Sequence, residues 1–222
     1  MTDAVQRRPI PLGLALVVAV LSALVTLAVT GPHAHAATHD HAATAKSFAL
    51  QTSMRGLWDD HVTWTRLAII SLTTDSPDTK ATVARLLRNQ ADIGNAIKPF
   101  YGAAAGTKLT SLLRQHILIA ADLIAAAKNG DRAATTKQAA RWTANANQMA
   151  AFLAGANPAW KLGAMKAMFH DHLRLTTDEV LARLNGTWAA DVKAYDEIVR
   201  QARHMADMLS DGIVDQFPAR FS

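Results

Sequence analysis

From Lys46 onward apolar residues recur every three or four positions almost without a break, and no stretch alternates as a strand would. The first such segment spans Lys46 to Thr73, with Leu50, Met54, Leu57, His61, Trp64, Ala68 and Leu72 on one stripe. Ser76-Pro77 then offers a helix cap and a first-turn proline. A second helix carries Val83, Leu86, Gln90, Ile93 and Ile97 and stops before Pro99, where Lys98 to Gly102 form a turn. A third carries Leu109, Leu112, His116, Ile119, Leu123 and Ala127 and ends near Asn129-Gly130. Asp131 caps a fourth, with Gln138, Trp142, Asn145, Met149 and Phe152, and Gly155 to Pro158 close it. A short helix bearing Leu162, Met165, Phe169 and His172 follows. Thr176-Thr177-Asp178-Glu179 has capping-box form and opens a long last helix, which Asn185-Gly186 can interrupt. The pattern predicts an all-α, up-and-down helical bundle of two similar hairpins, a short helix and a long C-terminal helix.

The likeness of the two hairpins is positional. Leu57-x-x-x-His61 recurs as Leu112-x-x-x-His116, displaced by 55 residues, as Ser76 recurs at Asp131 and Gln90 at Asn145. His61 and Gln90 are equidistant from the first turn, and His116 and Asn145 from the second. In helices that alternate up and down, equal distance from the turn means equal depth. The sequence therefore predicts a layer of His61, Gln90, His116 and Asn145 inside an apolar bundle. Buried polar groups without partners cost about 1–3 kcal/mol each. Either the four side chains satisfy one another and fix helix register, or His61 and His116 converge on a metal or other small ligand.

Ahead of the bundle, Arg7 and Arg8 precede an unbroken apolar run from Pro11 to Val29, and no Lys or Arg follows until Lys46. That run is about as long as a membrane span, and Ala34-His35-Ala36 is an A-x-A site beyond it. Residues 1–36 read as a signal peptide or an uncleaved membrane anchor; in the second case residues 11–29 are the only membrane contact. Both place residues 46–222, the bundle domain, outside the cytoplasmic membrane. No later segment is expected to span, because Asp122 interrupts the best candidate, Ile117 to Ala127.

Residues 37–45 read as a flexible, Ala/His-rich tail. His39 and His41, two apart in extended chain, can chelate. A cut after Ala36 would also place His39 third from a free amine, a nitrogen set suited to Cu(II) or Ni(II). The alternative is a solvated spacer. Zinc remains a candidate for either histidine pair.

Composition narrows the chemistry further. The chain has no cysteine, which removes disulfides, thiol catalysis and Cys-ligated metals. A formal charge of +5 over 222 residues is modest, and no basic run interleaves with aromatics, so nucleic acid is not an expected partner. Gly102 to Lys108 lacks the spacing of a phosphate loop, and Asp59 and Asp60 are adjacent, hence splayed on a helix. Arg55 and Asp59 have the spacing of an i,i+4 ion pair. No catalytic constellation is evident.

Leu57-Trp58-Asp-Asp-His61-Val-Thr-Trp64-Thr-Arg66, Lys98-Pro-Phe-Tyr-Gly102, His116 to Asp122, and Met205-Ala-Asp-Met-Leu209 with Gln216-Phe-Pro218 resemble an uncharacterised family of small exported bacterial helical proteins. The likeness covers most of residues 55–221 and implies an exported helical domain. Some of that family carry an automatic glycosyltransferase label, but the strand–helix alternation of a nucleotide-sugar domain is missing here. The sequence thus points to an extracytoplasmic binding protein for a transition metal or small ligand. The alternative is a non-catalytic structural or interaction module at the cell surface.

Overall fold

A computed structural model describes residues 44–222 of the chain. The export segment, its cleavage site and the histidines of the tail, His39 and His41 included, lie outside the described residues. Five helices follow one another: α1 (Ala45–Thr74), α2 (Thr79–Lys128), α3 (Arg132–Ala156), α4 (Leu162–Leu184) and α5 (Trp188–Gln216), with a final 3-10 turn at Pro218–Arg220. No strand occurs among the described residues, and the all-α bundle expected from the sequence is what forms.

The 50 residues of α2 are two antiparallel arms. Gly102 has φ 82° and ψ 169°, outside helical space, and turns the chain back. Only glycine tolerates that geometry without strain. The helix does not stop before Pro99, as the pattern predicts. It runs through the proline to Tyr101 and breaks one residue later. The arms meet at Gly94 and Gly106, where a Cβ on either residue would collide with the other's carbonyl oxygen.

Other boundaries differ as well. Ser76 does not cap α2. It lies in the turn, its carbonyl accepting from Thr79 N at 3.1 Å, and α2 begins after Asp78. Asp131 does cap α3, accepting from Ala134 N at 2.9 Å. Thr44 caps α1 through a bond from Ser47 N, so the last tail residues already belong to the bundle.

The largest difference concerns Thr176 to Glu179. These residues start no helix. α4 continues through them, with Thr176 buried and donating to the His172 carbonyl at 2.8 Å. The break comes at Asn185-Gly186, and Thr187 precedes α5. A short helix and a long one are therefore a third hairpin, α4/α5, matching α1 with the first arm of α2, and the second arm with α3.

The three turns confirm the repeat. Asp75, Gly130 and Gly186, with φ of 55°, 70° and 67°, are the left-handed residues after the first helix of each hairpin. They stand 55 and 56 residues apart. Core residues keep the same register. Met54, Leu109 and Met165 are all buried, as are Ile93, Met149 and Met205. α1 packs on α2 and α5, α3 on α2 and α4, and α4 on α5, so the six helical segments close a ring around one apolar core.

An 18-residue window of α2 has a mean hydropathy of 1.3, apolar enough by composition to cross a membrane, contrary to the expectation that Asp122 forbids any later span. Half of that window is buried inside the bundle. Its apolarity serves the core.

Candidate functional site

The four residues of the expected layer are buried as two histidine–amide pairs, with a third histidine beside both. His61, Gln90, His116 and Asn145 are each at most 4% exposed, and His172 joins them at 4%. The His61 and His172 ring centroids are 5.7 Å apart, and those of His116 and His172 are 6.4 Å apart. His172 thus stands next to both other imidazoles. Each hairpin contributes one histidine from its first helix.

Each histidine is held from the second helix of its own hairpin by an amide. His116 Nδ1 lies 3.0 Å from Asn145 Oδ1, and Asn145 Nδ2 donates to the Leu112 carbonyl at 3.1 Å. His172 Nδ1 lies 3.0 Å from Gln201 Oε1, and Gln201 Nε2 donates to the Met168 carbonyl at 3.1 Å. In both cases the carbonyl belongs to the residue four before the histidine. The amide therefore bridges the ring and the helix backbone one turn below it.

The first hairpin repeats this with a division of labour. Asn89, not Gln90, donates to the carbonyl four residues before His61, that of Leu57, at 3.0 Å. Gln90 Nε2 approaches His61 Nδ1 at 3.3 Å but donates at shorter range to Leu86 O and Asn89 Oδ1, at 2.8 and 3.1 Å. Its own Oε1 is buried without a partner. Asn89, Asn145 and Gln201, spaced by 56 residues, are the equivalent positions.

These contacts fix the protonation pattern. An amide oxygen can only accept, so Nδ1 of His116 and of His172 carries the proton and Nε2 keeps its lone pair. The hydrogen bonds of the three rings engage Nδ1, and at His61 the neighbour is an amide nitrogen, a donor, in place of the amide oxygen. Burial, reinforced by the neighbouring imidazoles, holds His61 well below the ordinary histidine range and pushes His116 down to about 3. Burial lowers His172 as well, against its hydrogen bond to Gln201. All three rings are neutral at physiological pH.

Indoles wall the layer. Trp142 stacks on His116 at 5.0 Å between centroids, and Trp58 meets His61 edge-on at 5.3 Å. Two small apolar cavities flank it, one of about 20 Å³ lined by Leu123, Ala127, Trp142 and Val180, the other of about 10 Å³ lined by Met54, Trp58 and Phe169. No carboxylate joins the layer. Among the described residues no three histidines or carboxylates stand close enough, as they are, to close on one metal ion.

A second buried polar group lies where α1, α4 and α5 meet. Arg66 donates to Glu179 at 2.7 Å and, through both terminal nitrogens, to Asp191 at 2.8 and 2.9 Å. Arg183 reaches Asp191 at 3.1 Å. Burial raises the Glu179 carboxyl to about 7 in spite of Arg66. Burial also acts on Asp191, but its bonds from Arg66 and Arg183 prevail and hold it below the usual range.

The other candidate residues serve the surface. Asp59 pairs with Arg203 at 2.9 Å and Asp60 with Arg85 at 2.9 Å. Arg55 turns to Asp207 at 2.6 Å instead of the expected Asp59, because a bidentate bond to α5 is geometrically better than a pair along its own helix. His170 bonds Asn147 at 2.9 Å, away from the layer.

His172, Gln201 and Asn89 escape the sequence argument, although a signal for two of them is present. His172 and Gln201 are equidistant from the Gly186 turn, as the other pairs are from theirs. Searches against family models, curated proteins and solved structures find no match for this chain.

Proposed function

We propose that this chain is an exported, non-enzymatic binding protein whose bundle holds a transition-metal ion, or a ligand of comparable size, at the histidine layer. The observation that supports it is one buried imidazole from each of three hairpins, with Nδ1 of His116 and of His172 held by an amide oxygen, which leaves Nε2 of those two rings its lone pair. Metal-binding histidines are commonly held this way through the nitrogen that does not ligate. Helical bundles commonly build their sites at such depth from facing helices. Export rests on Arg7-Arg8, the Pro11–Val29 run and Ala34-His35-Ala36.

Titration of the full chain with Zn(II), Cu(II) and Ni(II), followed by calorimetry and melting temperature, tests the reading. One ion should bind per bundle and raise the melting temperature, and His61→Leu or His116→Leu should remove both effects. Four His→Ala changes at 33, 35, 39 and 41 separate any contribution of the tail.

One observation favours a second reading, a structural layer in a surface module. The amide-to-carbonyl bonds of Asn89, Asn145 and Gln201 close each hairpin without a ligand. On that reading no ion binds and the layer sets register alone.

A further inference from the structure

We infer that the end of the bundle where α1 begins docks on the surface of an anionic phospholipid bilayer. This goes beyond the histidine layer and holds whatever that layer binds.

Four stretches of chain meet at that end. Lys46 Nζ donates to the Ser222 carbonyl at 2.7 Å, Arg220 to the Pro99 carbonyl at 2.7 Å, and Asn157 Nδ2 to the Tyr101 hydroxyl at 2.9 Å. Residues 44–53, 98–108, 154–167 and 216–222 are thereby gathered together. They hold no acidic residue and six basic ones, Lys46, Lys98, Lys108, Lys161, Lys166 and Arg220. All but Lys98 are exposed. The next carboxylates along α5, Asp215 and Asp211, offset two of these charges and leave a clear positive excess. The opposite end has none. At its turns Lys128 pairs with Asp75 and Arg183 with Asp191, while Asp78 and Asp131 add negative charge.

Apolar side chains stand among the basic ones. Phe48 is 64% exposed and Leu162 45%, beside Lys46 and Lys161 in the chain. The tips around them are small or proline, with Ala103, Ala104, Pro158 and Ala159 all exposed. Nothing bulky or acidic keeps the lysines from a flat, negative surface. Each Lys or Arg near anionic headgroups strengthens binding about 5-fold, and apolar side chains between them enter the headgroup boundary. Trp188 and Val192 are as exposed, but they lie at the other end, where Arg183 stacks on Trp188.

The chain also brings a bilayer to this end. The Pro11–Val29 run has the length of a span, and only 15 residues separate Val29 from Ala45, where α1 starts. A second copy docked head to head would instead set like charge against like charge.

The test uses the full chain, which has no cysteine of its own, in nanodiscs of phosphatidylcholine alone or with about one third phosphatidylglycerol. A fluorophore on Ala159→Cys reports this end, one on Pro77→Cys reports the turns, and spin-labelled lipid is the quencher. In anionic discs the label at 159 alone should be quenched and blue-shifted, and high salt should release it. Lys161→Gln with Lys166→Gln should lower the docked-to-free ratio about 5-fold per lysine, and Phe48→Ser with Leu162→Ser by roughly 10-fold. Lys80→Gln with Lys137→Gln, at the turns, should leave it unchanged. All these side chains are exposed, and thermal melts check that each variant is folded. Quenching at 159 that is equal in both lipids and unmoved by salt or lysine removal means that the tether alone holds the bundle there, and overturns the docking. Quenching at 77 overturns the choice of end, and quenching at neither position in anionic discs overturns the proposal outright. Energy transfer between two chains labelled at 159, equal in both lipids, assigns the surface to a second copy and overturns the lipid.

Discussion

Gln201 bridges His172 and the backbone beneath it: its oxygen lies 3.0 Å from the ring Nδ1, and its nitrogen donates to Met168 O at 3.1 Å. The side chain joins α4 to α5 at the depth where Asn145 joins the second arm of α2 to α3. Gln201→Ala leaves His172 Nδ1–H buried and unpaired, at a cost of about 1–3 kcal/mol. His172→Leu combined with Gln201→Leu should cost much less than the two single changes added, because both partners vanish together. Urea unfolding of the four proteins of the cycle measures the difference. Additive effects would show that the two side chains do not act as a unit.

Acid should unfold the metal-free protein steeply. His61, His116 and His172 all have folded pKa values below the unfolded value near 6.5. Their stabilisation is complete above that value and is lost as pH falls, since the unfolded chain takes up protons that the folded one refuses. Each contributes a slope of about 1.4 kcal/mol per pH unit once below 6.5. Glu179 works in the opposite sense. Its folded value of about 7 lies above the unfolded 4.5, so its contribution is complete below 4.5 and lost as pH rises to 7. Three groups outweigh one, and stability should fall on acidification from pH 6.5 to 4.5. His172→Leu with Gln201→Leu should flatten that fall by about one proton's worth, read from unfolding free energies at several pH values.

The reason that register was legible and the third hairpin was not lies in Thr176 to Glu179. Turn-to-residue distances need only a reliable turn, and Asp131 and Asn129-Gly130 supplied one. The same counting works about Gly186, but the capping-box string made a helix start seem to fall inside α4, detaching His172 from Gln201. In the folded chain that string is used otherwise. Thr176 bonds back to its own helix, and Glu179 turns to Arg66 across the core. Burial decides this, since a capping Glu would be exposed. The turn count reaches Gln90 alone, and Asn89 reflects about the first turn within one residue of it. Only the carbonyl of Leu57 distinguishes them, and no sequence pattern records which amide reaches it.

The Arg66 group should show how unequal the two halves of a buried pair are. Arg66→Met strands Glu179 and leaves Asp191 to Arg183 alone, both carboxylates being about 1% exposed, and should cost about 3–5 kcal/mol at neutral pH. Glu179→Gln keeps Asp191 paired with Arg66 and Arg183 and retains a hydrogen-bonding oxygen near Arg66. It should be mild at pH 7.5, about 1 kcal/mol or less, since the carboxyl there is held charged against burial. Thermal melts at pH 7.5 give the order. Equal losses in the two variants would mean that Arg66 is bound mainly by its packing on Tyr195, 4.8 Å below the guanidinium.

The turn positions allow a comparison within one chain, because three equivalent residues share a left-handed backbone and only two are glycine. Asp75 adopts φ 55° where Gly130 and Gly186 adopt 70° and 67°. A non-glycine residue there bears a strain of roughly 1 kcal/mol, somewhat less for Asp. Asp75→Gly relieves it but forfeits the 2.6 Å pair with Lys128. That pair is on the surface, Asp75 being 87% exposed, and such pairs contribute about 0–1 kcal/mol, less in salt. Asp75→Gly should therefore stabilise the bundle by a few tenths of a kcal/mol at high salt. Gly130→Ala and Gly186→Ala, which impose the strain with nothing in return, should each destabilise by about 1 kcal/mol. Unfolding of the three variants in 0.5 M NaCl, a concentration of about 3–10 Å screening length, isolates the backbone effect from the ion pair. A loss on Asp75→Gly under those conditions would mean that the Asp75 side chain itself holds the first turn, and that the three turns share a shape without sharing its energetic basis.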